Sequence, residues 1–367
     1  MTQAEQAIKL WRAGVAAVDG YTATQTALSG VSKPDRILAV GKPAAAMARA
    51  ALDHFGTVPT LVVTKDDHGR DLPDGVEVIE ASHPVPDERS LAGGRALRLA
   101  VGAMQPGSHL LLLVSGGASS LAEDLLPGNS LEDLEALNRK LLSEGLDITA
   151  MNAKRRALSR VKGGGLLSHF AGEKVTVLAI SDVPGDDLHV IGSGIGALPE
   201  TYAFEATARI IASNAHARTA ATEAAHAAGL PVHADEEALH DDYLSVSAKL
   251  GQRLRQMEPG VMVFGGEPTV VLPENPGQGG RNQALALALG REISGLSGIT
   301  VVVGGTDGTD GPTNAAGGIV DGSTWTKEAE IALENADSGS YLDKADALLV
   351  TGPTGTNVMD LVVAIRR

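Results

Sequence analysis

Apolar residues recur at helical spacing at the start of the chain, at Ala7, Ile8, Trp11, Val15 and Val18. This spacing predicts an amphipathic helix. Short apolar runs follow, separated by longer stretches rich in Ala and Leu that have helical character. The runs lie at residues 36–40, 61–64, 76–81, 110–114 and 175–180. Because nearly continuous apolar strands alternate with helices where a sheet is covered on both faces, this pattern predicts a mostly parallel, Rossmann-like sheet.

A second series of elements follows the stretch 192–199, which is rich in glycine and proline. The pattern predicts helices at 214–228, 242–257 and 282–293, and strands at 230–233, 261–264, 269–272, 299–303 and 347–351. We expect some antiparallel pairing here, around Gly265 and Gly266. The prediction is an α/β fold with two α/β domains, 1–205 with the parallel sheet and 206–367 with a mixed sheet. The cleft between two such domains is the expected place for a small-molecule site.

Composition excludes several classes of function. The chain has 45 acidic and 30 basic residues, a net charge of −15, and this charge repels nucleic acids and anionic membranes. The absence of cysteine excludes disulfides, thiolate nucleophiles and cysteine-based metal sites. No apolar stretch is long enough to span a membrane, and the charged residues Glu5, Lys9 and Arg12 are unlike a signal peptide. We therefore expect a cytoplasmic protein that binds neither nucleic acid nor membranes.

Glycine is abundant, and the glycines cluster where predicted strands end. The chain has 44 glycines, against about 26 at the usual share. Three clusters lie at 115–120, 304–311 and 352–357. Their backbone N–H groups can converge on an anion, although any one cluster alone is equally typical of a tight turn. The candidate phosphate- or substrate-binding residues in these clusters are Ser115, Gly116, Gly117, Ser119, Gly305, Thr306, Gly352, Thr354, Gly355 and Asn357.

Neither standard nucleotide fingerprint is present. The chain has no G-x-x-x-x-G-K-[ST] motif, which excludes a P-loop enzyme. Residues 192–197 satisfy the loose pattern G-x-G-x-x-A. A dinucleotide fingerprint requires a strand directly before it and a helix directly after it, whereas the preceding strand ends at Ile180 and Pro199 follows closely. The sequence therefore argues against a dinucleotide site there.

Carboxylates accompany the glycines. Asp182 and Asp187 follow the strand predicted at 175–180, and Asp307 lies in the second glycine cluster. Carboxylates at strand ends near phosphate loops suit Mg2+, which takes one or two protein oxygens and completes its shell with water and phosphate. Asp is also a common turn and cap residue, and for each residue taken singly that role is the more frequent one.

Basic residues are scarce, which makes their positions informative. Lys42 follows the first predicted strand, and Arg281 begins a predicted helix, where a cation opposes the helix dipole and needs another reason to be present. Both can neutralise charge on a transferred phosphoryl group. For Lys42 a solvated strand end is an equally good interpretation. A basic run that includes Lys154, Arg155, Arg156, Arg160 and Lys162 is more typical of a solvated helix face.

Together these loops resemble the glycerate 2-kinases of the MOFRL family, some members of which are labelled hydroxypyruvate reductase. The resemblance covers essentially the whole chain. Its pieces are VGK at 40–42, SHPVPD at 82–87, VSGG at 114–117, KGG at 162–164, SDVPGDD at 181–187, GGE at 265–267, GGRNQ at 279–283, GTDGTDGPT at 305–313 and TGPTGTN at 351–357. Nine pieces in the same order are highly specific.

The resemblance implies a kinase with ATP and Mg2+ as cofactors that phosphorylates the 2-hydroxyl of D-glycerate to give 2-phosphoglycerate. It also implies that Lys42 and Arg281 are catalytic, that Lys162 binds substrate or phosphate, and that Asp182, Asp187 and Asp307 are the candidates for Mg2+. This chain departs from the family at Ile195, Gly196 and Asn314, which leaves the acceptor hydroxy acid open. The alternatives are a kinase for another small hydroxy acid, a nicotinamide-dependent hydroxypyruvate reductase and a non-catalytic anion sensor.

Overall fold

The computed structural model describes residues 1–143 and 156–367, which form two compact units. Gly20–Ser213 forms one, called here the parallel-sheet unit. Met1–Asp19 and Asn214–Arg367 together form the other, called here the mixed-sheet unit. This division differs from the domains predicted at 1–205 and 206–367 in two ways. The opening helix packs in the mixed-sheet unit, and an unpredicted strand extends the first sheet to residue 212.

The parallel-sheet unit is built on six strands, all of which pair in parallel. They are β1 (Arg36–Val40), β2 (Thr60–Lys65), β3 (Glu77–Ala81), β4 (His109–Val114), β5 (Lys174–Ile180) and β6 (Glu205–Ala212). The five predicted strands and the parallel sheet are confirmed. The strand β6 was not predicted because its exposed and half-buried residues alternate, as on an edge strand that faces solvent on one side.

The strand order in this sheet is β3-β2-β1-β4-β5-β6, so the direction of progress reverses between β1 and β4. Val40 and Val114, the last residues of these two strands, are partners in the register. In open α/β sheets, ligands bind at the carboxyl ends of the strands where the order reverses. In the described part of this unit, the helices lie at Gly20–Ala27, Ala44–Phe55, Glu88–Gly102, Ala118–Leu121 and Leu131–Ser143, with 3-10 turns at Leu167–His169, Pro184–Asp186 and Ile191–Gly194.

The mixed-sheet unit also has six strands, and the predicted mixed sheet is confirmed. They are β7 (Val232–Glu237), β8 (Gly260–Gly266), β9 (Ile299–Gly305), β10 (Gly317–Asp321), β11 (Leu348–Leu349) and β12 (Asp360–Arg366), in the order β11-β10-β9-β12-β8-β7. Only β7 and β8 pair in parallel. The antiparallel pairing expected at Gly265 and Gly266 is present, with β12 as the partner. The strand predicted at 269–272 was wrong, since Thr269 makes only an isolated bridge to Asp242.

Helices cover both faces of the mixed sheet. On one face, Gln3–Ala17 and Asn214–Ala227 pack together, and Trp11 is fully buried there with its Nε1 donating to the Leu361 carbonyl at 3.1 Å. The other face carries the remaining helices, Tyr243–Arg255, Arg281–Glu292, Lys327–Glu334 and Ser338–Lys344. Within the described residues, no helix combines the length and the apolar character that crossing a membrane requires.

Candidate active site

At the reversal point of the parallel sheet, the residues after β1 and β4 pack against each other at backbone distance. The Lys42 N–H donates to the Gly116 carbonyl at 2.9 Å, and the Ser115 N–H donates to the Val40 carbonyl at 2.9 Å. A Cβ on Gly41 would lie 2.1 Å from Ser115 Oγ, and Gly41 has a φ of +127°. Only glycine fits at this position, and it brings half-buried Lys42 beside the loop that begins at Ser115.

Asp182 and His83 come to the same place from two other strand ends. A Cβ on Gly116 would lie 2.2 Å from Asp182 Oδ2, the first carboxylate after β5. Gly117, with a φ of +84°, lies between Lys42 and His83, and a Cβ there would be 3.1 Å from Lys42 Cγ and 3.2 Å from His83 Cδ2. The structure therefore brings the predicted residues Lys42, Ser115, Gly116, Gly117 and Asp182 together. It adds His83, which the sequence placed in a motif without a role.

A small cavity of about 230 Å3 shares His83 with this cluster. Its other lining residues are Pro84, Pro86, Ser119, Ser120, Leu134 and Lys162. The predicted binding residues Ser119 and Lys162 therefore face one cavity. A volume of this size suits a small acid rather than a nucleotide, because drug-sized ligands occupy roughly 300 to 1,000 Å3.

Lys162 forms a buried ion pair. Its Nζ donates to Glu123 Oε2 at 2.5 Å, and the side chains of the two residues are 2% and 0% exposed. The other Glu123 oxygen accepts the Ser159 hydroxyl. The position of Lys162 in the basic run suggested a solvated helix face, but its side chain is buried. The Glu123 carboxylate offsets the cost of burying the ammonium charge. Lys154 and Arg155 of that run lie outside the described residues.

The glycine stretch that mimics a dinucleotide fingerprint has a packing role. Gly192 and Ser193 are both left-handed, with φ values of 55° and 57°, in the 3-10 turn Ile191–Gly194. The Gly163 N–H donates to the Ser193 carbonyl at 3.0 Å, and the Gly164 N–H donates to the Gly194 carbonyl at 2.9 Å. A dinucleotide site needs a strand directly before the glycines and a helix directly after them. Here the glycines instead form a 3-10 turn that packs on residues 163 and 164.

The predicted metal ligands do not form one cluster. Asp187 is exposed and accepts the His189 N–H at 2.8 Å, which is the turn role that the sequence left open. In the same way, Asp307 accepts the Thr309 N–H at 3.0 Å. Across residues 1–143 and 156–367, no group of three or more His, Asp or Glu side chains is placed to hold a metal ion. Of the three candidates, Asp182 is the one that lies against Gly116, whose carbonyl accepts the Lys42 N–H.

In the mixed-sheet unit, Arg281 is held by two carboxylates. It is the first residue of the helix Arg281–Glu292. Its Nε donates to Asp360 Oδ2 at 2.7 Å and its Nη2 to Asp360 Oδ1 at 3.2 Å, while its Nη1 donates to Glu267 Oε1 at 2.5 Å. These partners explain why a cation is stable at a helix N-terminus.

Burial and charge oppose each other in this ion pair. Burial raises the pKa of Asp360 to about 6, against the opposing effects of the Arg281 charge and its hydrogen bonds. For Arg281, burial lowers the pKa, but Asp360 and Glu267 outweigh burial and raise it above the ordinary value. The guanidinium is therefore charged at every pH at which the protein is handled, and Asp360 is mainly ionised at pH 7.

Asp310 holds the start of the same helix. Its carboxylate accepts the N–H groups of Asn282 at 3.1 Å and Gln283 at 2.8 Å, and also the Gln283 side-chain amide at 2.9 Å. A Cβ on Gly280 would lie 2.3 Å from Asp310 Oδ1, which explains the glycine before Arg281. Burial raises the pKa of Asp310, and the hydrogen bonds from the helix oppose this. This carboxylate therefore acts as a helix cap.

The glycine loops after β9 and β11 pack on each other. The Thr354 hydroxyl donates to the Thr306 carbonyl at 2.5 Å, and the Thr306 hydroxyl donates to the Met359 carbonyl at 2.6 Å. A Cβ on Gly308 would lie 2.1 Å from the Gly352 carbonyl oxygen. The two threonine side chains thus hold the loops together. Their other predicted residues are Gly305, at the end of β9, and Gly355 and Asn357.

Two protein families match this chain. A family described as a domain of unknown function, DUF4147, matches residues 6–227, and the MOFRL family matches residues 260–360. The D-glycerate 2-kinase of Thermotoga maritima is 36% identical over an alignment 380 positions long, gaps included, which covers 90% of this chain and 91% of that protein. This chain belongs to the glycerate 2-kinase family with a MOFRL domain.

Other proteins are similar to this chain over most of their length. The glycerate 2-kinase of Pyrococcus horikoshii is 35% identical, with 90% of this chain and 86% of that protein covered. A putative hydroxypyruvate reductase of Agrobacterium vitis is 33% identical, with 89% and 97% covered. The crystal structure of the Thermotoga maritima glycerate kinase covers 99% of both chains with a TM-score of 0.91 and 33% identity. The two-unit α/β architecture is thus shared with a solved member of the family.

Sequence reasoning missed the carboxylates that partner the site cations. Glu267 stands inside the GGE motif of the family and was given no role, and neither was Asn282 of the GGRNQ motif, which donates to Asp360. Glu123 and Asp360 stand outside the nine motifs. The local sequence gives one signal of their burial, which is an acidic residue next to apolar residues. Leu121 and Ala122 precede Glu123, and an apolar run follows Asp360.

Proposed function

We propose that this protein is an ATP- and Mg2+-dependent kinase that phosphorylates the 2-hydroxyl of D-glycerate to give 2-phosphoglycerate. The observation that carries the proposal is the cluster at the reversal point of the parallel sheet. There the Lys42 side chain has its Cγ 3.1 Å from the place of a Cβ on Gly117, and the Asp182 carboxylate lies against Gly116 of the same glycine loop. Phosphoryl transfer needs little more from a protein than positioning and the neutralisation of charge, and these groups supply both.

Each group has a role in this proposal. Lys42 and Arg281 stabilise the negative charge of the transferred phosphoryl group. Asp182 is the residue that would hold Mg2+, because a single strand-end carboxylate beside a phosphate loop suits an ion that otherwise binds water and phosphate. Asp187 and Asp307 remain less favoured ligands, since both serve turns. The metal would neutralise charge on the nucleotide phosphates.

The glycine loops and the small cavity would bind the two substrates. The backbone of loop 115–117 and of the loops with Gly305, Thr306, Gly352, Thr354, Gly355 and Asn357 would bind phosphate. The cavity lined by Ser119 and Lys162 would take the acceptor acid, since its volume suits a molecule of this size. The structure gives no support to the reductase alternative, because residues 192–197 lack the strand and the helix of a dinucleotide site.

A coupled assay of ADP release tests the proposed function directly. With ATP, Mg2+ and D-glycerate we expect turnover, and we expect the product to be consumed by a coupling enzyme that accepts 2-phosphoglycerate but not 3-phosphoglycerate. A panel of small hydroxy acids, including L-glycerate and lactate, serves as the control for the acceptor. Turnover with a different acid only would indicate another hydroxy-acid kinase. No ATP-dependent turnover, together with NADH or NADPH oxidation by hydroxypyruvate, would establish the reductase instead.

A further inference from the structure

Asp360 holds Arg281 more firmly than the other partner of this arginine does. A guanidinium has five N–H donors, and three of those of Arg281 are directed to Asp360 and Glu267. The Asp360 side chain is 1% exposed, whereas that of Glu267 is 43% exposed. A buried charge-assisted pair with two hydrogen bonds fixes orientation, while an exposed pair contributes little.

The carboxylate of Asp360 is itself fixed from several sides. Asn282 donates its Nδ2 to Asp360 Oδ1 at 2.9 Å. The backbone of Asp360 begins β12, where it pairs with Gly266 on one side and Gly305 on the other. Asn214 Nδ2 donates to the Asp360 carbonyl at 3.0 Å. Asp360 therefore holds one position at the start of β12, between Gly266 and Gly305.

Stability does not account for this arrangement. Burying a carboxylate against a guanidinium commonly gains no stability over apolar side chains of similar volume. The start of the helix Arg281–Glu292 is held by Asp310, which accepts its N–H groups, so Asp360 is not needed as a helix cap. What Asp360 does is set the plane and direction of the Arg281 guanidinium.

We propose that Asp360 is the positioning residue for Arg281 in phosphoryl transfer. By binding Nε and Nη2 along one side of the guanidinium, it leaves the N–H groups that are not directed to Asp360 or Glu267 for the transferred phosphoryl group. This assignment rests on the proposed function. A positioning residue acts only through the group it orients, and a double-mutant cycle can show this.

The test is steady-state kinetics on the full chain with Asp360→Asn, Arg281→Ala and the double variant. In the wild-type background we expect Asp360→Asn to lower kcat about 10-fold or more and to change KM for ATP and D-glycerate less than about two-fold. In the Arg281→Ala background we expect it to change kcat less than about two-fold. Equal losses in both backgrounds, or no loss in the wild-type background, would overturn the positioning role. If Arg281→Ala is too slow to measure, Arg281→Lys serves as the second background.

Two control variants separate positioning from folding. Glu123→Gln removes a buried carboxylate from the parallel-sheet unit, where it pairs with Lys162 and not with Arg281, and we expect its loss of activity to be the same in both backgrounds. Glu236→Gln breaks the exposed pair with Arg253 and is expected to leave kcat unchanged. Far-UV circular dichroism checks folding, and if Asp360→Asn is unfolded, Asp360→Glu carries the cycle. A wild-type protein without turnover would overturn the proposed function and this assignment with it, whereas wild-type turnover with equal losses would overturn the assignment alone.

Discussion

At the scale of single residues, Lys42 is the side chain on which the proposed chemistry depends most. Its side chain lies beside Gly117 of the glycine loop 115–117, where in the proposed function charge would develop on the phosphoryl group. We expect Lys42→Ala to lower kcat about 100-fold or more with a smaller change in KM, because the lost interaction is strongest in the transition state. Steady-state kinetics with ATP and D-glycerate measures this effect.

Lys174 is the matched control for Lys42. It too stands at a strand end of the parallel sheet, but at the amino end of β5, whereas Lys42 follows the carboxyl end of β1. Lys174→Ala should leave kcat and KM nearly unchanged. Similar losses in the two variants would mean that Lys42 acts only as a solvated strand-end cation.

The Glu123–Lys162 pair allows a prediction about stability. Replacing Glu123 by Gln leaves the Lys162 ammonium buried without a counter-charge, and we expect the free energy of unfolding to fall by about 3 kcal/mol or more. Urea titration at pH 7 measures this change. The double variant with Lys162→Met should recover part of the loss, because it removes the unpaired charge. The control is Glu236→Gln, which breaks an exposed pair and should cost less than about 1 kcal/mol.

At the scale of elements, local sequence was sufficient for strands with a continuous apolar run. All five strands predicted in the first half were found, and β4 is buried at every position. Residues 361–365 carry the same signal, and β12 could have been predicted from them. By contrast, β10 reads GGIVD and has no such signal, because a side chain would clash with β9 at Gly317 and with Ala286 and Leu342 at Gly318. Its pairing depends on residues distant along the chain.

The candidate site also has a part that local sequence predicts and a part that it does not. Glycine clusters at strand ends are local features, and the sequence predicted the loops at Ser115 and Gly305 from them. The partners of the cations are not local, since Asp360 is 79 residues from Arg281 and Glu123 is 39 residues from Lys162. No periodicity or motif spacing encodes such contacts, and only the folded sheets bring them together. Sequence therefore predicted the cations but not the carboxylates that position them.

The burial of the opening helix Gln3–Ala17 allows a prediction about stability. Trp11 is fully buried against β12 in the mixed-sheet unit. We expect Trp11→Ala to lower the free energy of unfolding of this unit by about 3–5 kcal/mol, the usual cost of a large aromatic cavity. The other tryptophan, Trp325, is only partly buried, and Trp325→Ala should cost clearly less. Equal costs for the two variants, read by thermal unfolding, would contradict the burial of Trp11.

At the scale of the whole molecule, each unit has a hydrophobic core of its own. The core around β1, β4 and β5 contains only residues of the parallel-sheet unit. The two cores on either face of the mixed sheet contain only residues of that unit, and one of them includes Ala7, Leu10 and Trp11 from the opening helix. The first 19 residues thus share a hydrophobic core with a segment that begins nearly 200 residues later.

This arrangement predicts that the two units differ when they are expressed as fragments. The fragment 20–213 contains its complete sheet and core, and we expect it to fold alone with a cooperative thermal transition. The fragment 214–367 lacks the helix that covers Val261, Val302 and Leu361, and we expect it to be poorly folded and to bind a hydrophobic dye. A synthetic peptide of residues 1–19 should restore its cooperative transition, because the peptide supplies the missing face of the core. The same peptide with Trp11→Ala should not, and a fragment 214–367 that unfolds cooperatively without any peptide would show that the opening helix is dispensable.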